Sequence, residues 1–122
     1  MSEGLIIDDN RSTADALKQM LDVLDVPARV AYGSSAAMSV LGSMVPRFVC
    51  LDINMPGVDG TEILAYLRRE PRLIKVPVIV ITSDDQPETR RRMMRGGAQA
   101  MLIKPATIDA LEGALKKAGI EK

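Results

Sequence analysis

Four short polar segments each follow directly on an apolar run: Asp8-Asp9, Asp52, Thr82-Ser83 and Lys104-Pro105. Gathered at one place, they would set three carboxylates, a hydroxyl and an ammonium against one another. Like charges a few ångströms apart raise one another's pKa, so three acids in one pocket call for cations. Lys104 offers one positive charge, and a divalent ion would supply the rest. The donors are all oxygen, which points to Mg²⁺ or a similar hard ion and not to zinc. A carboxylate beside Mg²⁺, with a lysine and a threonine opposite, suits phosphoryl transfer. Lys104 and the ion would neutralise oxygens of the transferring group while Thr82 donates a hydrogen bond to another. An aspartate can itself be the nucleophile, giving an aspartyl phosphate. Asp52 is the best candidate because it ends the central strand. Asp8 and Asp9 suit metal holding, one directly and the other through water.

The elements that must position these residues follow from hydrophobic periodicity. Gly4–Ile7 reads as a strand, and Ala14, Leu17, Met20, Leu21 and Leu24 repeat at helical spacing over residues 11–25. Pro27 breaks that helix, and Ala28–Tyr32 reads as a second strand. Ser34 or Ser35 caps a helix running to about Val45, and Phe48–Leu51 is a third strand. Residues 52–60 form a long turn rich in breakers, after which Thr61–Arg69 is helical through Ile63, Leu64 and Leu67. Val76–Ile81 is a strongly β-branched strand, Glu88–Arg95 a helix and Ala100–Ile103 a fifth strand. Thr107 caps a last helix to about Ala118, with Ile108, Leu111 and Leu115 facing inward. Gly57 and Gly60 serve turn geometry. Strict alternation of strands and helices implies an α/β fold, a five-stranded parallel sheet with helices on both faces. Right-handed crossovers leave 2-1-3-4-5 as the common strand order, with ligands at the carboxyl ends of the strands.

Composition bounds the possible functions. The 122 residues, 47% apolar and 26% charged, describe one ordered domain over 1–122. A single cysteine, Cys50, permits no internal disulfide, and the absence of histidine excludes His-based catalysis, His-ligated zinc and a histidine phosphodonor in this chain. The aromatics are Tyr32, Phe48 and Tyr66, too few for base stacking, and the zero net charge argues against direct nucleic-acid binding. The charge is nonetheless uneven. Residues 1–62 hold nine acids and four bases, net −5, and residues 63–122 hold twelve bases and seven acids, net +5. No apolar run approaches the roughly 18 residues of a membrane span, and the N-terminus lacks a signal pattern, so the expected location is the cytoplasm.

With the motifs Ile7-Asp8-Asp9, Leu51-Asp52-Ile53-Asn54-Met55-Pro56-Gly57-Val58-Asp59-Gly60, Val80-Ile81-Thr82-Ser83 and Lys104-Pro105 in this order, essentially the whole chain resembles the receiver domains of two-component response regulators. The resemblance implies the doubly wound, flavodoxin-like arrangement. It implies that Asp52 accepts a phosphoryl group from a phosphohistidine on a sensor histidine kinase or phosphotransfer protein. It also implies Mg²⁺ held by Asp9, Asp52 and the main-chain carbonyl of Asn54, with Asp8 acting through water, and phosphoryl contacts from Thr82 and Lys104. The Lys104–Pro105 bond is expected to be cis. Thr82 and Met101 occupy the positions of the family's conformational switch, and Met101 stands where the family usually has Tyr or Phe. Asn54 and Asp84 lie where the family tunes the access of water to the acyl phosphate.

A chain of this kind is a signalling phosphoacceptor and not an enzyme in its own right. It would act through a phosphorylation-dependent contact with a downstream protein, or with a second copy, across helix 4, strand 5 and helix 5. Arg91 and Arg95, i,i+4 neighbours on helix 4, mark that face, and Met93, Met94 and Met101 would supply adaptable apolar contacts. Three rivals stand beside this reading. One is a receiver-like interaction module that does not switch, and another is a receiver segment of a larger regulator or hybrid kinase. The third, a Mg²⁺-dependent phosphohydrolase, is disfavoured: such enzymes commonly carry a second acid two residues after the nucleophile, and here that position is Asn54.

Overall fold

The computed structural model describes residues 3–57 and 59–121; Val58, in the turn after the third strand, lies outside them. Ten elements alternate: β1 Gly4–Ile7, α1 Arg11–Val23, β2 Ala28–Ala31, α2 Ser34–Leu41, β3 Val49–Leu51, α3 Gly60–Arg69, β4 Val78–Thr82, α4 Pro87–Arg95, β5 Ala100–Ile103 and α5 Ile108–Lys117. The strands form one parallel sheet in the order β2-β1-β3-β4-β5, as the alternating pattern implied.

Strand side chains alternate between two apolar layers, as the period of two requires. Leu5, Ile7, Val49, Leu51, Val78, Val80 and Met101 pack beneath α2, α3 and α4. Ile6, Cys50, Ile79, Ile81 and Ala100 pack beneath α1 and α5. The central strands are buried on both faces, which is why they read as unbroken apolar runs. Cys50 belongs to this packing, and burial pushes its thiol up to about 12, so at neutral pH it is an inert core group.

Several element ends differ from the sequence reading, each for a local reason. Helix α2 stops at Leu41, short of Val45, because Gly42 and Ser43 are weak helix formers and Val45 precedes Pro46. Neither Ser34 nor Ser35 caps it. The cap is Gly33, and the Ser34 hydroxyl donates instead to the Pro56 carbonyl at 3.4 Å. Strand β4 begins at Val78, after Pro77, and extends through Thr82. Helix α4 starts at Pro87, a first-turn position where the missing N–H is not needed. Thr107 does cap α5, its hydroxyl accepting from the Ala110 N–H.

Candidate functional site

Sheet register brings the polar segments together. Ile7 lies opposite Leu51, Leu51 opposite Val80, and Thr82 opposite Ile103. The residue after each strand therefore arrives at the same edge. The ladder continues one step beyond the strands: Asp52 N–H donates to the Ile7 carbonyl at 3.0 Å, and Lys104 N–H to the Thr82 carbonyl at 2.8 Å. These bonds place Asp52 beside Asp8 and turn Lys104 back over both.

The three carboxylates meet as expected. One oxygen from each of Asp8, Asp9 and Asp52 lies within 4.8 Å of the other two. Asp8 and Asp52 are buried, 1% and 7% exposed, whereas Asp9 faces solvent. Lys104 Nζ donates to Asp8 Oδ2 at 2.9 Å and to Asp52 Oδ2 at 3.1 Å, with its own bond to Pro105 cis. The remaining oxygens of the buried pair accept from main chain: Asp8 Oδ1 from Asn10 N–H, Asp52 Oδ1 from Asn54 N–H, each at 3.0 Å.

Burial raises the Asp52 carboxyl above its ordinary range. The Asn54 N–H and the Lys104 ammonium pull against that shift, and the neighbouring Asp8 adds to it. For Lys104, burial pulls the ammonium down, but its bonds to Asp8 and Asp52 outweigh this and its pKa is raised. Three carboxylates against one ammonium leave the pocket with surplus negative charge. Oxygens around an octahedral Mg²⁺, at about 2.1 Å from the ion, stand roughly 3–4 Å apart. With one oxygen of each within 4.8 Å of the others, the carboxylates stand close enough to be drawn onto one ion, and their donor type and charge fit a hard divalent cation.

Thr82 is fully buried at the end of β4, and its Oγ1 accepts from Asn54 Nδ2 and from Asp84 N–H, both at 3.2 Å. Met101 is 7% exposed and packs among the buried residues under α3 and α4, including Val80 and Met93. The turn after β3 is anchored by Asp59, whose carboxylate caps α3 by accepting from Thr61 N–H and Glu62 N–H. The Thr61 hydroxyl above all, helped by those two main-chain bonds and opposed by burial, holds the Asp59 carboxyl below its usual range. Gly57 has φ +83, as a turn glycine should. Gly60 serves a different need from the one read in the sequence. A Cβ there would overlap the Ile53 Cα and the Asp52 carbonyl oxygen, so α3 can approach the end of β3 only through glycine.

Two sets of contacts had no counterpart in the sequence reading, which singled out Asp84 only for the access of water. Arg68 of α3 donates to the carbonyls of Ile74, Val76 and Gly97 and to Gln99 Oε1, stapling α3 to the loops before β4 and β5. An arginine at a helix end looks like an ordinary charge complementing the dipole, and only the returning loops give it acceptors. The side chain of Asp84 joins the Thr82 loop to α4, because Oδ1 accepts from Gln86 N–H at 3.0 Å and Oδ2 from the Thr89 hydroxyl at 2.8 Å. On the far side of Lys104, a groove between α1 and the β5–α5 turn is lined by Thr13, Ala16, Leu17, Met20, Pro105 and Ala106.

Comparison with known proteins gives one answer. The family model described as "Response regulator receiver domain" matches residues 5–116. The probable methanogenesis regulatory protein FilR2 of Methanothrix harundinacea is 30% identical, the match covering 88% of this chain and 75% of that protein. The signal receiver domain of a DNA binding response regulator protein from Colwellia psychrerythraea superposes with a TM-score of 0.88 at 29% identity, covering 96% of this chain and 97% of that one. Chemotaxis protein CheY4 of Vibrio cholerae shares the fold with a TM-score of 0.88 at 22% identity, covering 97% and 98% of the two chains.

Proposed function

Because this chain belongs to the response regulator receiver domain family, we propose that Asp52 is its phosphoacceptor and that Asp9, Asp52 and the Asn54 carbonyl hold Mg²⁺, with Asp8 acting through water. The observation that carries this reading is the convergence of Asp8, Asp9, Asp52 and Lys104 in one pocket at the carboxyl edge of the sheet. Bound there, Mg²⁺ would supply positive charge against the phosphoryl oxygens.

The chain's own groups do the rest. Asp52 Oδ2 is held by the Lys104 ammonium, while Oδ1 has only a neutral main-chain donor, so Oδ1 is the freer nucleophile. It attacks the phosphorus of a phosphohistidine: the O–P bond forms, the N–P bond breaks, and its electron pair returns to the imidazole nitrogen of the donor. Lys104 neutralises charge on the transferred group, and the Thr82 hydroxyl supplies a hydrogen bond. The donor is a histidine kinase or phosphotransfer protein. Output runs through α4, β5 and α5, where Arg91 and Arg95 are exposed and Ile103 is 42% exposed. Charge reversal at Arg91 and Arg95 should weaken that contact, and unchanged affinity for the target or second copy counts against this face.

Mg²⁺ with acetyl phosphate should add one phosphoryl group to the protein, read by intact mass, and Asp52→Asn should abolish the addition. Equal labelling of the Asn variant would exclude Asp52. A second reading, a receiver-like interaction module that keeps the pocket but does not switch, draws support from Met101, which lacks the ring usual at its position. Membership of a larger regulator fits equally with either, since the Colwellia match is itself the receiver domain of a DNA binding response regulator.

A further inference from the structure

We infer that Asp84 and Thr89 form a latch tying α4 to the phosphoacceptor pocket through the Thr82 hydroxyl, with Thr89 a positioning residue whose hydroxyl makes α4 respond to Asp52. The inference rests on Asp52 being the phosphoacceptor and adds the route by which its state leaves the pocket.

A continuous hydrogen-bonded path supports it. Asp52 Oδ1 accepts from Asn54 N–H, the Asn54 side chain donates to Thr82 Oγ1, Asp84 N–H donates to the same oxygen, and Asp84 Oδ2 accepts from Thr89 in the first turn of α4. Thr82 and Thr89 are both buried, 0% and 6% exposed, so water does not substitute freely for these partners. A hydroxyl has two acceptor sites and one proton. Both acceptor sites of Thr82 are taken, and its proton is what it can offer a new anion on Asp52. Turning to deliver that proton strains the two bonds it accepts. Both measure 3.2 Å, while the Thr89–Asp84 bond measures 2.8 Å. The weaker links yield first, so the loop leaves Thr82 while still attached to α4. Gln86, the N-cap of α4, makes no side-chain cap bond, which leaves Asp84 as the side chain holding loop and helix together.

The path needs no aromatic ring at position 101. It offers a transmission route in a chain where Met101 stays packed in the core beneath α4. A purely structural role for Asp84 and Thr89, as a cap for α4, would contribute stability and leave the response of α4 to the pocket intact.

The test is a set of amide spectra with and without Mg²⁺ and beryllofluoride on the parent, Thr89→Val and Thr89→Ser. In the parent, shifts should appear at Asp52, Asn54 and Thr82 and extend through Thr89–Arg95. Thr89→Val, isosteric but without the hydroxyl, should keep the pocket shifts and lose those of α4, and Thr89→Ser should restore them. Should Thr89→Val fail to fold, Asp84→Ala carries the same expectation. Retention of the α4 shifts at parental size in the hydroxyl-less variant, or pocket shifts without α4 shifts in the parent, overturns the latch alone. Absence of any pocket shift in the parent overturns the phosphoacceptor reading and the latch with it.

Discussion

Replacing Asp52 with Asn should make the metal-free protein more stable, although it removes an ion pair. The geometry sets the size of the effect. Asp8 and Asp9 each hold a carboxylate oxygen within 4.8 Å of Asp52, and Lys104 Nζ lies 3.1 Å from it. At an effective dielectric of about 20, each repulsion is roughly 3.5 kcal/mol and the attraction roughly 5 kcal/mol; with water-like screening they are about 0.9 and 1.3 kcal/mol. Two repulsions outweigh one attraction by roughly 0.5–2 kcal/mol in either limit, and relief of the buried carboxylate's desolvation acts in the same direction. Lys104 keeps Asp8 as a partner in the variant. The expected gain is about 1–2 kcal/mol at pH 7, a rise in Tm of roughly 3–10 °C for a domain of this size.

The pH dependence gives the sharper test. Burial raises the Asp52 carboxyl above its ordinary 3.8, with the Asn54 N–H and Lys104 offsetting part of the shift and Asp8 adding to it. A carboxyl whose folded pKa exceeds its unfolded value binds its proton more tightly in the folded state. Its ionisation therefore costs stability as pH rises above 3.8. The gap between variant and parent should nearly vanish at about pH 3 and open as pH rises through the range above the ordinary carboxyl value. Millimolar Mg²⁺ should narrow the gap at pH 7, because a ligand that binds only the folded parent stabilises it by about 2.7 kcal/mol at a hundred times its Kd. Thermal melts of both proteins across pH, with and without Mg²⁺, measure all of this. A variant less stable than the parent at pH 7 without metal, or a gap independent of pH, refutes the electrostatic account.

Gly60→Ala should destabilise by about 3 kcal/mol or more, since the added Cβ meets main chain and not a flexible side chain. Denaturant unfolding would read this, and a loss below about 1 kcal/mol would show that α3 can shift away from β3 without penalty. Arg68→Met keeps the aliphatic stem but leaves the Val76 and Gly97 carbonyls without their side-chain donor, for an expected loss of about 1.5–3 kcal/mol. Hydrogen exchange should rise first in β5, and uniform acceleration across the sheet would argue against a local staple.

The number and order of elements were legible in the sequence because they rest on local periodicity. Alternating short apolar runs and helical stripes admit few topologies once crossovers must be right-handed. The candidate site residues were legible for the same reason: each ends a strand or lies within a few residues of its end, and in a parallel sheet all strand ends share one edge. Thr107 as a cap and Asp52 as the end of the central strand are facts about neighbours in the chain. Tertiary structure decided everything that depends on what returns from far along it. Register alone sets Asp52 beside Asp8, and the bond from Lys104 N–H to Thr82 aims the ammonium at both. Gly60 is required by the approach of a helix to a strand end, a clearance no turn rule encodes. Arg68 gains its acceptors from two loops, and Ser34 gives up a capping role because Pro56 comes within reach. Hydrophobic period is a property of a segment, whereas hydrogen-bond partners belong to the packed whole.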